Sequence, residues 1–270
     1  MQVTRAPART GWLWVAEGFS LLRRHPLAML GITVLFLFSV MLPSVLPVIG
    51  QFAPLVLMPA LSVGYMQAVR TAAAGRMPSP WTLYDGLRAG NGRGARPLLV
   101  LGLVNCLLSV LALAVASLAD GGTLFRMATG TLAGDDPALQ DHRGLAFAVV
   151  IFALIFTPAQ MAMWYAPVFV AWHRLHPARA LFYSLVGVWR NRAAFVVYLL
   201  GWVAVAIGMS VALQLLRPLL PASVMTLLLS PLSLMLLAAL YCSFWPSYRD
   251  VVQDGPEGGP PPLPLPGAAR

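Results

Sequence analysis

Five sets of side chains in this 270-residue chain have the types or spacing to do chemistry. His173 and His176 stand three residues apart, which could set two imidazoles on one helix face for a metal. No cysteine or carboxylate is close to them in sequence and Pro177 follows, so a polar linker is the expected role. Asp120, Asp135, Asp136 and Asp141 gather in one segment, but Asp135-Asp136-Pro137 lacks the alternating oxygen ligands of a calcium loop, and a solvated loop is expected instead. Cys106 and Cys242 lie in apolar runs, where a thiol packs as a small hydrophobe; they suggest neither a disulfide framework nor a zinc site. There is no glycine-rich phosphate loop, nucleophile elbow or pair of catalytic carboxylates. The expectation is a protein that is not an enzyme and holds no cofactor or metal.

The polar and basic residues are more informative. Gln67, Asn105, Gln160 and Gln214 interrupt long apolar runs, and such amides either hydrogen-bond across helix interfaces or line a cavity. A polar, water-sized cavity near Gln67, Asn105 or Gln160 would favour a path for a small molecule, whereas a dry bundle would favour lipid association. None of the apolar runs carries the ionisable group that ion-coupled transport usually needs. Arginines gather in knots beside aromatic residues: Arg23 and Arg24, Arg93 and Arg96, Arg190 and Arg192. Each basic residue near an anionic leaflet is worth about 1 kcal/mol, so these six are the candidates for phospholipid headgroups. They could equally serve only to fix topology.

These residues must be positioned by membrane helices. The chain is 59% hydrophobic and 10% charged, more apolar than the roughly 45–50% of a soluble domain. All 18 basic residues are arginine, giving a formal charge of +9, but they fall between apolar runs and do not form a basic face for nucleic acid. Membrane phospholipid is the expected anion. Six runs are near the ~20 residues that a helix needs to cross hydrocarbon: Leu27 to Leu46, Phe52 to Val69, Pro97 to Leu118, Leu145 to Trp172, Ala193 to Leu216 and Val224 to Trp245. Pro54 and Pro59 in span two should delay or bend it, and Pro158 and Pro167 should kink or break span four. No small-residue cleavage site follows the first run, so no removable signal peptide is expected. Fifteen of the eighteen arginines fall on one side, with Arg126, Arg143 and Arg217 on the other, so the positive-inside rule predicts that both termini are cytoplasmic.

Ahead of spans one, three and five lies a segment with apolar residues at helical spacing: Trp12, Val15, Phe19 and Leu22; then Trp81, Tyr84 and Leu87; then Leu181, Leu185 and Val188 beside Trp189. Each predicts a short amphipathic helix at the interface. The fold class is therefore all-α: one helical membrane domain over residues 1–250, of six spans in three hairpins, with repeat-like units at 1–76, 77–175 and 176–250. Residues 251–270, rich in proline and glycine, are expected to be a disordered tail.

Gly11-Trp12-Leu13-Trp14 through Phe19, Pro59-Ala60-Leu61-Ser62-Val63-Gly64, Ala119-Asp120-Gly121-Gly122, Ala171-Trp172-His173 and Ser243 to Asp250 together resemble a family of uncharacterised six-span inner-membrane proteins of beta-proteobacteria. The resemblance implies an envelope location and carries no functional residue. The hairpins with surface helices also resemble, more loosely, the membrane portion of some glycerophosphodiester phosphodiesterases, without their catalytic barrel. The two functional expectations are a non-enzymatic protein of the envelope that associates with anionic phospholipid, and a permease for a small or amphiphilic molecule through spans two and four.

Overall fold

The computed structural model describes residues 2–46, 49–88, 95–131 and 142–253. A two-residue strand β1 (Gln2–Val3) leads to α1 (Thr10–Arg24) and span one, α2 (Pro26–Met41), which ends in a 3-10 turn at Leu42–Val45. Span two is α3 (Ile49–Ala73). A 3-10 turn at Pro80–Tyr84 and the single turn α4 (Asp85–Arg88) precede span three, α5 (Arg96–Asp120), and the short α6 (Thr123–Ala128). Span four is divided into α7 (His142–Met163) and α8 (Ala166–His173). After α9 (Pro177–Arg190) come span five, α10 (Arg192–Leu216), and span six, α11 (Ala222–Cys242), continued by α12 (Phe244–Val251) and β2 (Val252–Gln253). Six helical stretches are long and apolar enough to cross a membrane, so the chain is an all-α polytopic membrane protein with a minimal two-stranded ribbon.

Span two is the central helix: 56% of its most apolar window is buried, against 12% or less in spans four, five and six. Burial also gathers toward the end where the termini meet. In span five the buried residues are Ala194, Tyr198 and Gly201, all in its first half. In span six they include Ala238, Ala239 and Cys242, all near its end. The outer halves of both spans carry exposed leucines and valines, as expected of surface that faces lipid, whose tails are as apolar as leucine itself.

The preparatory helices dock cyclically. α1 wedges between spans five and six, where a Cβ on Gly11 would collide with the Ala194 carbonyl and one on Gly18 with the Ala239 carbonyl and Ser243. The segment from Pro80 to Arg88 lies on span two, with Gly64 against the Leu83 backbone and Gly86 against the Ala60 carbonyl. α9 lies on span four through Ser184. Small residues at these contacts let backbones approach, the normal way helices associate where there is no hydrophobic drive between them.

The packed faces overlap those the spacing predicts but are turned part of the way from them, with Val15, Leu22 and Val188 buried and Phe19, Leu181 and Leu185 partly buried. α1 buries Gly11, Trp14, Val15, Gly18, Leu21 and Leu22, while Trp12 is 50% exposed. α9 buries Ala180, Ser184, Gly187 and Val188, and leaves Trp189 exposed. Periodicity marks an apolar stripe, but a bilayer accepts part of that stripe directly, so the glycines that let backbones approach, and not bulk alone, set which way each helix turns. Span two is a continuous helix through Pro54 and Pro59 and does not start late. Span four breaks, as expected, at Trp164 and Tyr165 just ahead of Pro167, whereas Pro158 stays inside α7.

The chain ends are tied together. Gln2 and Val3 pair antiparallel with Gln253 and Val252, and the Thr4 hydroxyl donates to the Asp250 carbonyl at 2.7 Å. Residues 251–253, assigned to a disordered tail on composition, thus belong to α12 and β2; residues 254–270 lie outside the described set. Residues 132–141, with Asp135, Asp136 and Asp141, also lie outside it.

Candidate functional site

The headgroup candidates sit where the preparatory helices pass into spans. Arg23 is exposed with its Nε donating to the Phe19 carbonyl at 3.3 Å, and Arg24 reaches the Ala73 carbonyl at 2.9 Å. Arg96, the first residue of α5, is exposed; Arg93 lies outside the described residues. Arg190 and Arg192 are exposed on either side of buried Asn191, and the Arg192 guanidinium lies 5.6 Å from the centre of the Trp189 ring. Neither forms an ion pair among the described residues.

Trp189 also lines a groove of ≈810 Å³ between α7 and α9. Its walls include Val150, Leu154, Pro158, Met161 and Leu185, with Thr157 as the polar exception.

Three of the five motifs that carry the family resemblance converge elsewhere, in a latch between α1, α8 and α12. The Trp14 indole N–H donates to Asp250 Oδ2 at 3.0 Å. Arg249 donates to both carboxylate oxygens of Glu17 at 2.7 and 3.0 Å and to Asp250 Oδ1 at 3.0 Å. His173 Nε2 is 2.8 Å from the Tyr248 hydroxyl, and Trp172 meets Tyr248 edge-on at 5.3 Å. Arg70 lies over the Trp172 ring at 5.6 Å. The two histidines weighed as a metal pair do separate jobs here, since His176 Nδ1 accepts from Ala178 N at the start of α9.

The intramembrane amides divide. Gln67 accepts from Arg70 at 3.3 Å and belongs to the latch side. Asn105 and Gln160 meet: Gln160 Nε2 donates to Asn105 Oδ1 at 3.2 Å, and Asn105 Nδ2 donates to the Leu55 carbonyl at 3.3 Å. Pro59 explains the second bond, because a proline lacks the N–H that would bond the carbonyl four residues earlier. Asn105 supplies the missing donor, and Gly102, one turn before it, lets span three close on the backbone at Val56. This pair borders a cavity of ≈190 Å³ where spans two, four and six converge, walled by Tyr65, Trp164, Tyr241 and Phe244.

Two important residues escaped the sequence reading. Ser184 spans the break in α7–α8: its hydroxyl donates to the Met161 carbonyl and accepts from Tyr165 N, both at 2.9 Å, bridging the pair that an unbroken helix would join. Asn191, hidden between two arginines, accepts from Ala6 N at 2.7 Å and donates to the Thr4 and Gly187 carbonyls at 2.9 Å. The hint for Ser184 was its distance along α9, four residues from Ala180 and three from Gly187 on a small-residue face.

A protein of Burkholderia thailandensis named as a probable inner membrane protein is 40% identical to this chain over 251 residues, a match that spans 92% of this chain and 93% of the relative. No family model and no solved structure matches the chain.

Proposed function

Because the chain belongs to the same family of inner-membrane proteins as that Burkholderia protein, we propose that it works there without catalysis, holding anionic phospholipid at the arginine-rich end of its bundle. One observation carries this reading: Trp189, over which Arg192 is stacked, is also a wall of the apolar groove between α7 and α9, and Arg190 is next to it in the chain. An acyl chain in the groove loses no favourable environment, and its phosphate meets guanidinium groups suited to bidentate contact. Replacing Arg190 and Arg192 with glutamine should reduce co-purifying phosphatidylglycerol and cardiolipin, measured by native mass spectrometry of the purified protein. Retention equal to wild type sinks the reading.

Both termini are assigned to the cytoplasm on the arginine distribution. Alkaline-phosphatase fusions at Arg76 and Asp254 should be inactive, and strong activity at either would reverse the orientation. The cavity beside Asn105 and Gln160 favours a second reading, a permease for a small or amphiphilic molecule between spans two and four. Proteoliposome uptake that is lost in Asn105→Leu but kept in the arginine double variant would select it.

A further inference from the structure

The central cavity has a chemistry of its own. Among its lining residues there is no aspartate, glutamate, lysine, arginine or histidine, so a charged guest would be buried without a counter-ion at a prohibitive cost. The walls are aromatic: Tyr65 and Tyr241 lie with ring centres 4.7 Å apart, and Trp164 meets Phe244 at 4.8 Å. At ≈190 Å³ it exceeds the roughly 150 Å³ of an apolar cavity that accepts benzene.

It is not purely apolar, however. Asn105 must turn its NH2 to the Leu55 carbonyl, which is an acceptor only, and this fixes its oxygen toward Gln160. Gln160 therefore spends one amide hydrogen on Asn105 and keeps its own carbonyl oxygen for another donor. The cavity thus combines an uncommitted acceptor with largely apolar walls.

We propose that this cavity binds one uncharged, ring-sized amphiphile, with the ring between Tyr241 and Trp164 and its hydroxyl or amide group at Gln160. The site is separate from the lipid groove, and its test can fail while the lipid reading stands.

The probe is 4-bromophenol, whose bromine quenches tryptophan fluorescence, titrated below its pKa into the full-length protein in detergent. Wild type should show a saturable quench above the linear background from micelles, and Trp164→Phe should lose that saturable part. Gln160→Leu should raise the half-saturating concentration about tenfold, the expected effect of a lost buried hydrogen bond. An always-anionic analogue, 4-hydroxybenzenesulfonate, should not compete. A wild-type quench that never saturates, one that persists in Trp164→Phe, an unchanged midpoint in folded Gln160→Leu, or competition by the sulfonate would each overturn the proposal. If Gln160→Leu does not fold, the wild-type saturation, Trp164→Phe and sulfonate measurements still decide it.

Discussion

Ser184 and Asp250 show how single side chains settle matters that charge alone does not. Removing the Ser184 hydroxyl leaves Tyr165 N and the Met161 carbonyl without their bridge inside an apolar bundle. Ser184→Ala should therefore cost about 1–2 kcal/mol, read as a lower melting temperature in detergent. The latch offers a contrast. Arg249 and Glu17 form a bidentate pair, but their side chains are 48% and 32% exposed, so Glu17→Gln should cost only about 0–1 kcal/mol, a cost that shrinks as salt is added. Asp250 accepts from fully buried Trp14, and Asp250→Ala orphans that indole. Its melting temperature should fall further than that of Glu17→Gln; equal shifts would mean that the ion pair, not the indole bond, secures α1 to α12.

At the scale of elements, α1 depends on two glycines spaced seven residues apart, two helical turns, so both face the same way. Span five closes on the first and span six on the second. Gly11→Leu or Gly18→Leu should push α1 out of the wedge and destabilise the protein by about 1–3 kcal/mol or more. A cysteine placed at Tyr198, buried in wild type, should become reactive to a membrane-permeant maleimide in either leucine variant. Unchanged protection would show that α1 is not what covers span five. The same logic explains why spans two and four respond differently to prolines. In span two a neighbouring asparagine repairs the ladder and the helix runs on, whereas in span four the break is real and a serine from α9 bridges it.

For the whole molecule, cyclic docking means that no hairpin is complete without a helix from another part of the chain. The ring is closed at the chain ends: β1 on β2, Thr4 on Asp250, and Asn191 on Ala6 and Thr4. Deleting residues 1–9 should therefore raise hydrogen exchange at residues 187–191 and 251–253 while leaving the centre of span two protected. Equal exchange in the truncated and full-length proteins would mean that the N-terminal strand closes nothing.

Length, apolar runs and the arginine tally were enough to read six spans, their approximate ends, the amphipathic helices ahead of spans one and five and a break in span four, whereas the helix expected at Trp81 to Leu87 is a 3-10 turn and a single helical turn. Each of those follows from a local property: the thickness of hydrocarbon, helical spacing, or the missing N–H of a proline. Which face of α1 or α9 turns inward was not local, because in lipid both a bulky and a small face are acceptable and only the neighbouring backbone selects between them. The meeting of Asn105 with Gln160, 55 residues apart, and of Trp14 with Asp250, 236 apart, was equally out of reach. Those partners are set by the order in which helices stack around span two, and no spacing along the chain encodes that order.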